Sequence, residues 1–513
     1  MNIPDTLLTN KDFSLFARLA IAAVIAIICA AAKVSEGAMA ILCIAAILIA
    51  AVELILTVLK NILRLRFFTE HFIMLIALII TLAARRYPEA VLAALLFRVC
   101  EFVCAKLRMH AIEMSKAIGC HPDTEKKSRM DSFANKALHI YIPAVIVAAL
   151  LVAIIPMLFV ENSAPWLSRA AIILMIGCPC ALTFSIPLCS LFAIYKMSCD
   201  GLSLGSAAAT DMLATVNTVV FDKSDAISAN TYAVGEVLPA RGLSSHNLLM
   251  LAAYAATSAG HPAADAIATA YGEELEPLYI TGSEQLKGFG ILAHVKGLVV
   301  SAGNLAMMEK LGLGSAAADL STEPNAIHVA INGSYAGCIT INRLTNESAK
   351  NAIEALRNIG VDRTVLLSSD TAKSTSRVAN ALGFGEHFSE CSEAEKAGHM
   401  EKLLAETFPE QTLCYVGSST TLLALADIGI SVGTEIEGCN AVLTSDDLGI
   451  IAESIITAKR GRSVILQGLV FAIIFKIIIL ILTLSGIFPF WLAVLSDAVV
   501  ALLTTANAMR AGK

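Results

Sequence analysis

Eight apolar stretches, near residues 14–32, 37–59, 68–84, 88–105, 139–160, 167–195, 466–486 and 489–508, are each about long enough to cross a bilayer as a helix, for which roughly 20 residues are needed. A chain that must hide so much apolar surface has few solvents open to it. With 57% hydrophobic and only 16% charged residues over 513 positions, it has the composition neither of an ordinary soluble enzyme nor of a nucleic-acid binder. Lipid is the expected partner and nucleic acid is not.

An even number of crossings leaves both ends on one side. Lys60, Arg64 and Arg66 lie between the second and third stretches, Lys106, Arg108, Lys126, Lys127 and Arg129 follow the fourth, and Arg510 and Lys513 close the chain. By the positive-inside rule this side is cytoplasmic, with Arg85 and Arg86 against the trend. The expectation is an integral protein of the cell membrane whose soluble part faces the cytoplasm. Thirteen cysteines occur mostly singly, with no CxxC pair and no signal-peptide cleavage pattern, so reduced, buried thiols are expected rather than a disulfide framework.

From about residue 200 to 460 the chain is more polar and has its own organisation. Short apolar runs precede polar turns in NTVVFDKS, RTVLLSSD, TLCYVGSS, DIGISVG and NAVLTSDD, with helix-length segments such as ESAKNAIEALRNIG between them. That alternation predicts a doubly wound parallel sheet. Ligands of such sheets bind beyond the carboxyl ends of the strands, which predicts Asp222, Ser368, Asp370, Gly417 and Ser418 around one crevice. Between about 230 and 340 the pattern becomes a helix, several alternating runs and an Asn332-Gly333 turn, as in an inserted α+β lobe suited to a nucleotide.

The membrane half carries chemistry in MIGCPCAL, where Cys178 and Cys180 flank Pro179. Positions two apart on a regular helix face different ways. A mid-helix proline unwinds the turn, which can bring both sulfurs toward one point and free carbonyls inside the bundle, an arrangement suited to a soft metal. The plainer alternative is two core cysteines beside a kink. Lys476 and Asp497 lie within the last two apolar stretches, with Glu89 and Glu101 in the fourth, and ionisable groups at such depth face a pathway and pair. Two thiolates and a carboxylate, less the Lys476 charge, balance a divalent ion, so Zn2+ or Cd2+ fits better than Cu+. Once the ion leaves, Lys476 could swing to Asp497; a plain structural ion pair is the alternative.

Taken in order, these motifs resemble the heavy-metal-transporting P-type ATPases, in particular the zinc, cadmium and lead exporters. The resemblance rests on RFFTEHFIMLIAL, YPEAVLAALLF, GCPCAL, FDKSD, GHPAADAI, KGFGILAHV, SAGN and the ending WLAVLSDAVVALLTTANAMR. It implies an α-helical membrane protein of about eight transmembrane helices with a cytoplasmic α/β haloacid-dehalogenase-like domain carrying an inserted α+β nucleotide-binding-like domain. The implied segments are 1–138 for four helices and a truncated actuator region, 139–200 for the helices with the CPC motif, 201–229 with 341–460 for the phosphorylation-type domain, 230–340 for the insert, and 461–513 for the last two helices. The resemblance further implies that Asp222 accepts the γ-phosphoryl of ATP beside Lys223 and Asp370, that Lys396 contacts that group, and that His261, Pro262, Gly288 and Gly290 line the adenine site. Cys178, Cys180, Lys476 as counter-charge and Asp497 match the transport site, and Glu101 an acid of the release path.

Departures from the family pattern bear on activity. DKTGT is here Asp222, Lys223, Ser224, Asp225 and Ala226, which sets a carboxylate where glycine gives room for phosphate. GDGxND corresponds to VGSSTTLLALADIGI, with no acid before Asp427, so a hard oxygen ligand of Mg2+ is lost. About thirty residues, MHAIEMSKAIGCHPDTEKKSRMDSFANK, stand where an actuator domain with its TGE loop belongs. TGSE at 281–284 matches that loop by letters only, since it lies in the insert. The expectation is a degenerate member with a Zn2+ or Cd2+ site whose ATP-driven transport, with ATP and Mg2+ as cofactors, is lost or impaired. Alternatives are an active exporter using a partner chain's actuator, a metal-sensing or regulatory membrane protein without turnover, and, more weakly, a membrane-tethered phosphatase.

Overall fold

Small residues decide how the apolar helices meet. In a computed structural model, residues 10–31, 35–64, 69–117, 129–159, 164–240, 242–257, 262–321, 325–485, 487 and 489–512 are described. The first helices are α1 (Asn10–Ala31), α2 (Glu36–Leu63), α3 (Glu70–Ala83), α4 (Tyr87–Ala117), α5 (Arg129–Met157), α6 (Ala164–Ile176) and α7 (Cys180–Asp200). On α2 the buried positions Cys43, Ala46, Ala50, Leu54 and Val58 recur every three to four residues and face the bundle, while Ile41, Leu48 and Leu56 point outward. Such narrow stripes let α2 lie against α1 and α4, and α3 against α6.

The chain then enters β1 (Leu202–Leu204), α8 (Ala207–Ala214) and β2 (Val216–Asp222). Next come β3 (Ser228–Pro239), α9 (Ser245–Ala256), α10 (Pro262–Tyr271), β4 (Ile280–Leu286), β5 (Gly290–Val295), β6 (Leu298–Gly303), α11 (Leu305–Lys310), α12 (Gly314–Leu320), β7 (Ala326–Ile331) and β8 (Ser334–Thr345). After these follow α13 (Ala349–Asn358), β9 (Arg363–Leu367), α14 (Ala372–Leu382), β10 (Glu386–Phe388), α15 (Glu393–Glu406), β11 (Thr412–Val416), α16 (Thr420–Leu425), β12 (Ile428–Val432) and β13 (Ala441–Leu443). Two long helices, α17 (Gly449–Leu484) and α18 (Phe490–Ala508), end the fold, with α17 against α7 and α18 against both α4 and α7.

Contacts divide the chain into two units. The first comprises residues 1–220, 355–363 and 393–513. Beside the helix bundle it holds strands in the order β1-β13-β12-β11-β2, the last of them as far as Val220. β11, β12 and β13 are parallel, with Cys414 opposite Ile428 and Ile430 opposite Ala441, and β1 runs antiparallel to β13. β11 is buried along its whole length, as expected of a parallel strand covered on both faces. Loops at the carboxyl ends of such strands are where polar groups converge.

The second unit comprises residues 221–354 and 364–392. Six of its strands form one antiparallel sheet in the order β3-β8-β7-β6-β5-β4, and β9 and β10 make a parallel pair with Val365 opposite Glu386. Leu248 and Leu251 of α9 and Ile267 of α10 pack on Ile291, Val300 and Ile339 of the sheet, which gives this unit its own core. Asn332 and Gly333 turn β7 into β8 with φ of 48° and 77°, the double positive φ that a two-residue hairpin needs and an Asn-Gly pair supplies. Residues 281–284, the TGSE letters, lie in β4 of this sheet.

Among the described residues three helices are long and apolar enough to cross a membrane: Glu36–Leu63, Gly449–Leu484 and Phe490–Gly512. Phe13–Cys29, Glu70–Ala83, Ile140–Pro156 and Pro165–Ile176 are apolar but shorter. The sequence expectation of eight rests on apolar runs and on the family resemblance, and three helices meet the length and hydropathy of a span among the described residues. The sixth run, 167–195, is in fact two helices, divided at residues 177–179, and the fourth is interrupted by Arg98 and Glu101.

Candidate functional site

The break in the sixth run is built by three residues. Gly177 ends α6 with its N–H donating to Ile173 O at 2.9 Å, and Cys178 and Pro179 are non-helical before α7 restarts at Cys180. A Cβ on Gly177 would lie 2.5 Å from Val145 Cγ1 and 2.6 Å from Ile173 O, so only glycine lets α5 approach here. Freed from helical bonding, the carbonyls of Ile176 and Cys178 accept from Lys476 Nζ at 2.8 and 2.5 Å. The same ammonium donates to Asp497 Oδ1 at 2.5 Å. Lys476 on α17 and Asp497 on α18 are thus brought together at the broken helix, each side chain less than one fifth exposed.

Cys178 and Asp497 line a cavity of about 30 Å³, enough for one small species. Cys100, Met74 and Met175 share its wall. The backbone of Cys180 opens α7, and its side chain lies outside the described residues. Among the described residues no three His, Cys, Asp or Glu side chains are already drawn together as a metal-holding group.

Glu101 is not in that cavity. On α4 it accepts from Arg98 Nη1 at 2.5 Å and faces His71 Nε2 at 3.3 Å. Arg98, buried, also pairs with Glu53 of α2, which accepts in turn from Arg18 of α1 at 2.6 Å. A chain of ions therefore links the first four helices. The sequence expectations contain Glu101 but not Arg98, His71 or Glu53, although the signal, ionisable residues in or beside apolar runs, was present. Glu89 pairs with Arg86 at 3.4 Å, apart from this chain.

In the second unit, Asp222 ends β2 and is buried. Its Oδ1 accepts from Ser224 N at 3.1 Å and Ser224 Oγ at 2.7 Å, which ties the carboxylate to the turn that follows. Lys223 Nζ pairs with Asp370 and donates to Ser374 Oγ at 2.9 Å. Asp370 N donates to the buried Ser368 Oγ at 3.0 Å. Asp222, Lys223, Ser368 and Asp370 thus belong to one unit, while Gly417, Ser418 and Lys396 belong to the other. There the Lys396 ammonium is buried and pairs with Glu393 Oε1 at 3.3 Å, and Ser419 Oγ donates to Glu393 Oε2 at 2.8 Å.

Mg2+ demands a near-octahedral set of hard oxygens, and among the described residues no three carboxylates are drawn together to supply it. Asp370 is taken by Lys223, and Asp427 accepts from Leu413 N at 2.9 Å as part of the β11–β12 framework. Residues 417–419 offer hydroxyls and no carboxylate.

A cavity of about 500 Å³ lies within the second unit, bordered by Gly288, Gly290, Gly303, Asn304, Tyr232 and Lys287. Gly290, at φ 152°, could not carry a Cβ, which would meet Ala302 O at 2.2 Å and Gly303 Cα at 2.5 Å. Asn304 Nδ2 donates to Gly288 O at 2.9 Å and holds the loop. His261 lies outside the described residues; Pro262 opens α10 by its backbone, and Ala263, Ala264 and Ile267 of that helix face the cavity.

Comparison with known proteins adds four findings. Residues 216–411 match the family model for haloacid dehalogenase-like hydrolases. The chain is 36% identical over 400 residues to a cadmium, zinc and cobalt-transporting ATPase of Bacillus subtilis, covering 75% of this chain and 56% of that protein. It is 32% identical over 400 residues to a zinc-transporting ATPase of Synechocystis, covering 76% and 55% respectively. A crystal structure of a zinc-transporting PIB-type ATPase in the E2.Pi state superposes with a TM-score of 0.74 at 23% identity, covering 98% of this chain and 100% of that one, and shows a shared fold. The chain spans little more than half the length of the curated relatives it matches.

Proposed function

From the premise that the chain belongs to the heavy-metal-transporting P-type ATPase family, we propose that it holds Zn2+ or Cd2+ within the membrane while its ATP-driven cycle is lost or impaired. The observation that carries this reading is the Lys476 ammonium bound at once to Asp497 and to the carbonyls of Ile176 and Cys178. An ion entering between Cys178, Cys180 and Asp497 takes over the carboxylate from Lys476. When it departs, the ammonium returns and the buried charge is again offset. That alternation needs two soft sulfurs and one carboxylate at a helix break; Cys178 at the break and Asp497 beside it on one cavity support the reading.

On this reading about eight helices cross the membrane, the cell membrane, with the soluble region in the cytoplasm. Residues 201–229 with 341–460 are the phosphorylation-type domain and 230–340 the nucleotide lobe, whose cavity at Gly288 and Gly290 has a volume suited to a nucleoside. His261 and Pro262 would border the base, and Lys396 would meet the phosphoryl group.

Loss of turnover is supported by the donor set around Asp222. The carboxylate is present and buried, with Lys223 beside it, but Asp370 is engaged by that lysine and residues 417–419 carry no carboxylate. In addition, α4 ends at Ala117 and α5 begins at Arg129, so residues 118–128 alone separate them in sequence. An active exporter would draw its actuator from a partner chain; a sensor would use the membrane site without turnover.

Purified protein given radiolabelled ATP, Mg2+ and Zn2+, then acid-quenched, is expected to carry no label removable by Asp222→Asn, while binding Cd2+ in a manner lost in Cys178→Ala. Label that vanishes in Asp222→Asn would restore the active-exporter reading. Cd2+ binding unchanged in Cys178→Ala would remove the metal site.

A further inference from the structure

Counting donors at the membrane cavity exposes a gap. Zn2+ and Cd2+ in protein sites take four ligands when closed, and Cys178, Cys180 and Asp497 supply three. Carbonyl oxygens of the broken helix are the obvious fourth, yet those of Ile176 and Cys178 already accept from Lys476. The cavity wall is otherwise apolar: Phe97, Leu96 and Val494 leave little to hydrate an ion. Three further sulfurs stand on that wall, the thioethers of Met74 and Met175 and the thiol of Cys100, and of these the thiol alone can become the charged thiolate that binds such ions most strongly.

Cys100 projects from α4, is 4% exposed, and lies against Ala498 O at 3.8 Å, one residue beyond Asp497 on α18. It reaches the cavity from α4, which packs on both α18 and α7. Cys100, Cys178 and Asp497 line one cavity without standing at ligand spacing in the ion-free chain, so the ion itself would draw them together. The geometry points to Cys100 as a further metal-ligating residue that completes a three-sulfur, one-carboxylate set with Cys178, Cys180 and Asp497. This inference rests on the proposed metal site and refines it. A third sulfur makes the set softer and biases it toward Cd2+ over Zn2+. Glu101, its neighbour in sequence, takes no part, being held by Arg98 and His71.

The test uses the full chain in lipid nanodiscs loaded with Cd2+ alone, and reads the number of sulfur neighbours by X-ray absorption at the cadmium edge. Loss of one sulfur in Cys100→Ser, which keeps size and the contact to Ala498 O, is the expected result. Cd2+ affinity should then fall about tenfold or more relative to Zn2+. Should Cys178→Ala lose a sulfur while Cys100→Ser and Cys100→Ala keep the parental count, Cys100 is no ligand and the proposed function stands without it. A parent chain that binds no Cd2+ overturns both.

Discussion

Lys476 Nζ lies 2.5 Å from Asp497 Oδ1, joining α17 to α18 inside the bundle, and the same ammonium bridges to the carbonyls of a helix interrupted at residues 177–179. Two consecutive helices and a helix break 300 residues earlier therefore depend on one cation. Replacing it leaves a buried carboxylate without compensation, which in folded proteins destabilises by about 3–5 kcal/mol. Lys476→Met is expected to lower the unfolding temperature in detergent sharply, Asp497→Asn comparably, and the double variant by less than the sum. Strict additivity in that cycle would mean that the two groups are not coupled.

Gly177 sets where the helix breaks. Its missing Cβ is the space that Val145 occupies, so Gly177→Ala forces α5 away or re-forms the turn. Overpacking of this kind costs about 1–3 kcal/mol. Because Cys178 follows directly, Cd2+ affinity is expected to fall together with thermal stability. Unchanged affinity in a folded Gly177→Ala protein would separate the metal site from the break.

Much of this was legible in the chain, and the residues say why. Pro179 between two cysteines marks an interruption because proline cannot donate a helical bond, and Lys476 and Asp497 stand out because charge inside an apolar run must find a partner. Asn332-Gly333 specified a hairpin locally, through backbone freedom alone. Pairings between helices were not legible in the same way. Nothing in the local sequence says that Arg98 of α4 meets Glu53 of α2, or that Cys100 shares a cavity with Cys178, since these depend on how helix faces rotate against one another. Asp427 illustrates the converse. It stands in the sequence as the first acid of its motif segment, and only the fold shows that it accepts from the backbone N–H of Leu413.

Gly290 and Gly288 differ in what they tolerate. At Gly290 both the φ of 152° and contacts at 2.2 and 2.5 Å exclude a side chain, and Gly290→Ala is expected to destabilise the second unit by about 1–3 kcal/mol and abolish binding of a fluorescent ATP analogue. At Gly288, with φ 80° and open space around it, Gly288→Asn should cost under about 1 kcal/mol, because asparagine accepts the left-handed region. Equal losses in the two variants would show that the cavity rim is not shaped by close approach at Gly290.

His328 gives the second unit a pH dependence whose sign follows from its burial. On β7 it is 1% exposed and shares a hydrogen bond of 2.8 Å between Nδ1 and the Tyr335 hydroxyl. Burial holds its pKa below the ordinary 6.5, and burial likewise raises the Tyr335 phenol, so both stay neutral near pH 7. The unfolded chain therefore takes up a proton, as pH falls through about 6.5, that the folded unit refuses. Stability from this group is fully present above that pH and declines below it. Hydrogen exchange of β7 and β8 peptides in the whole protein, corrected for intrinsic rates, is expected to quicken between about pH 7.5 and about pH 5.5. His328→Gln, which keeps a polar partner for Tyr335 without a titrating group, should flatten that change. If the variant keeps the full acid-induced rise in exchange, another group is responsible and His328 is only a buried structural residue.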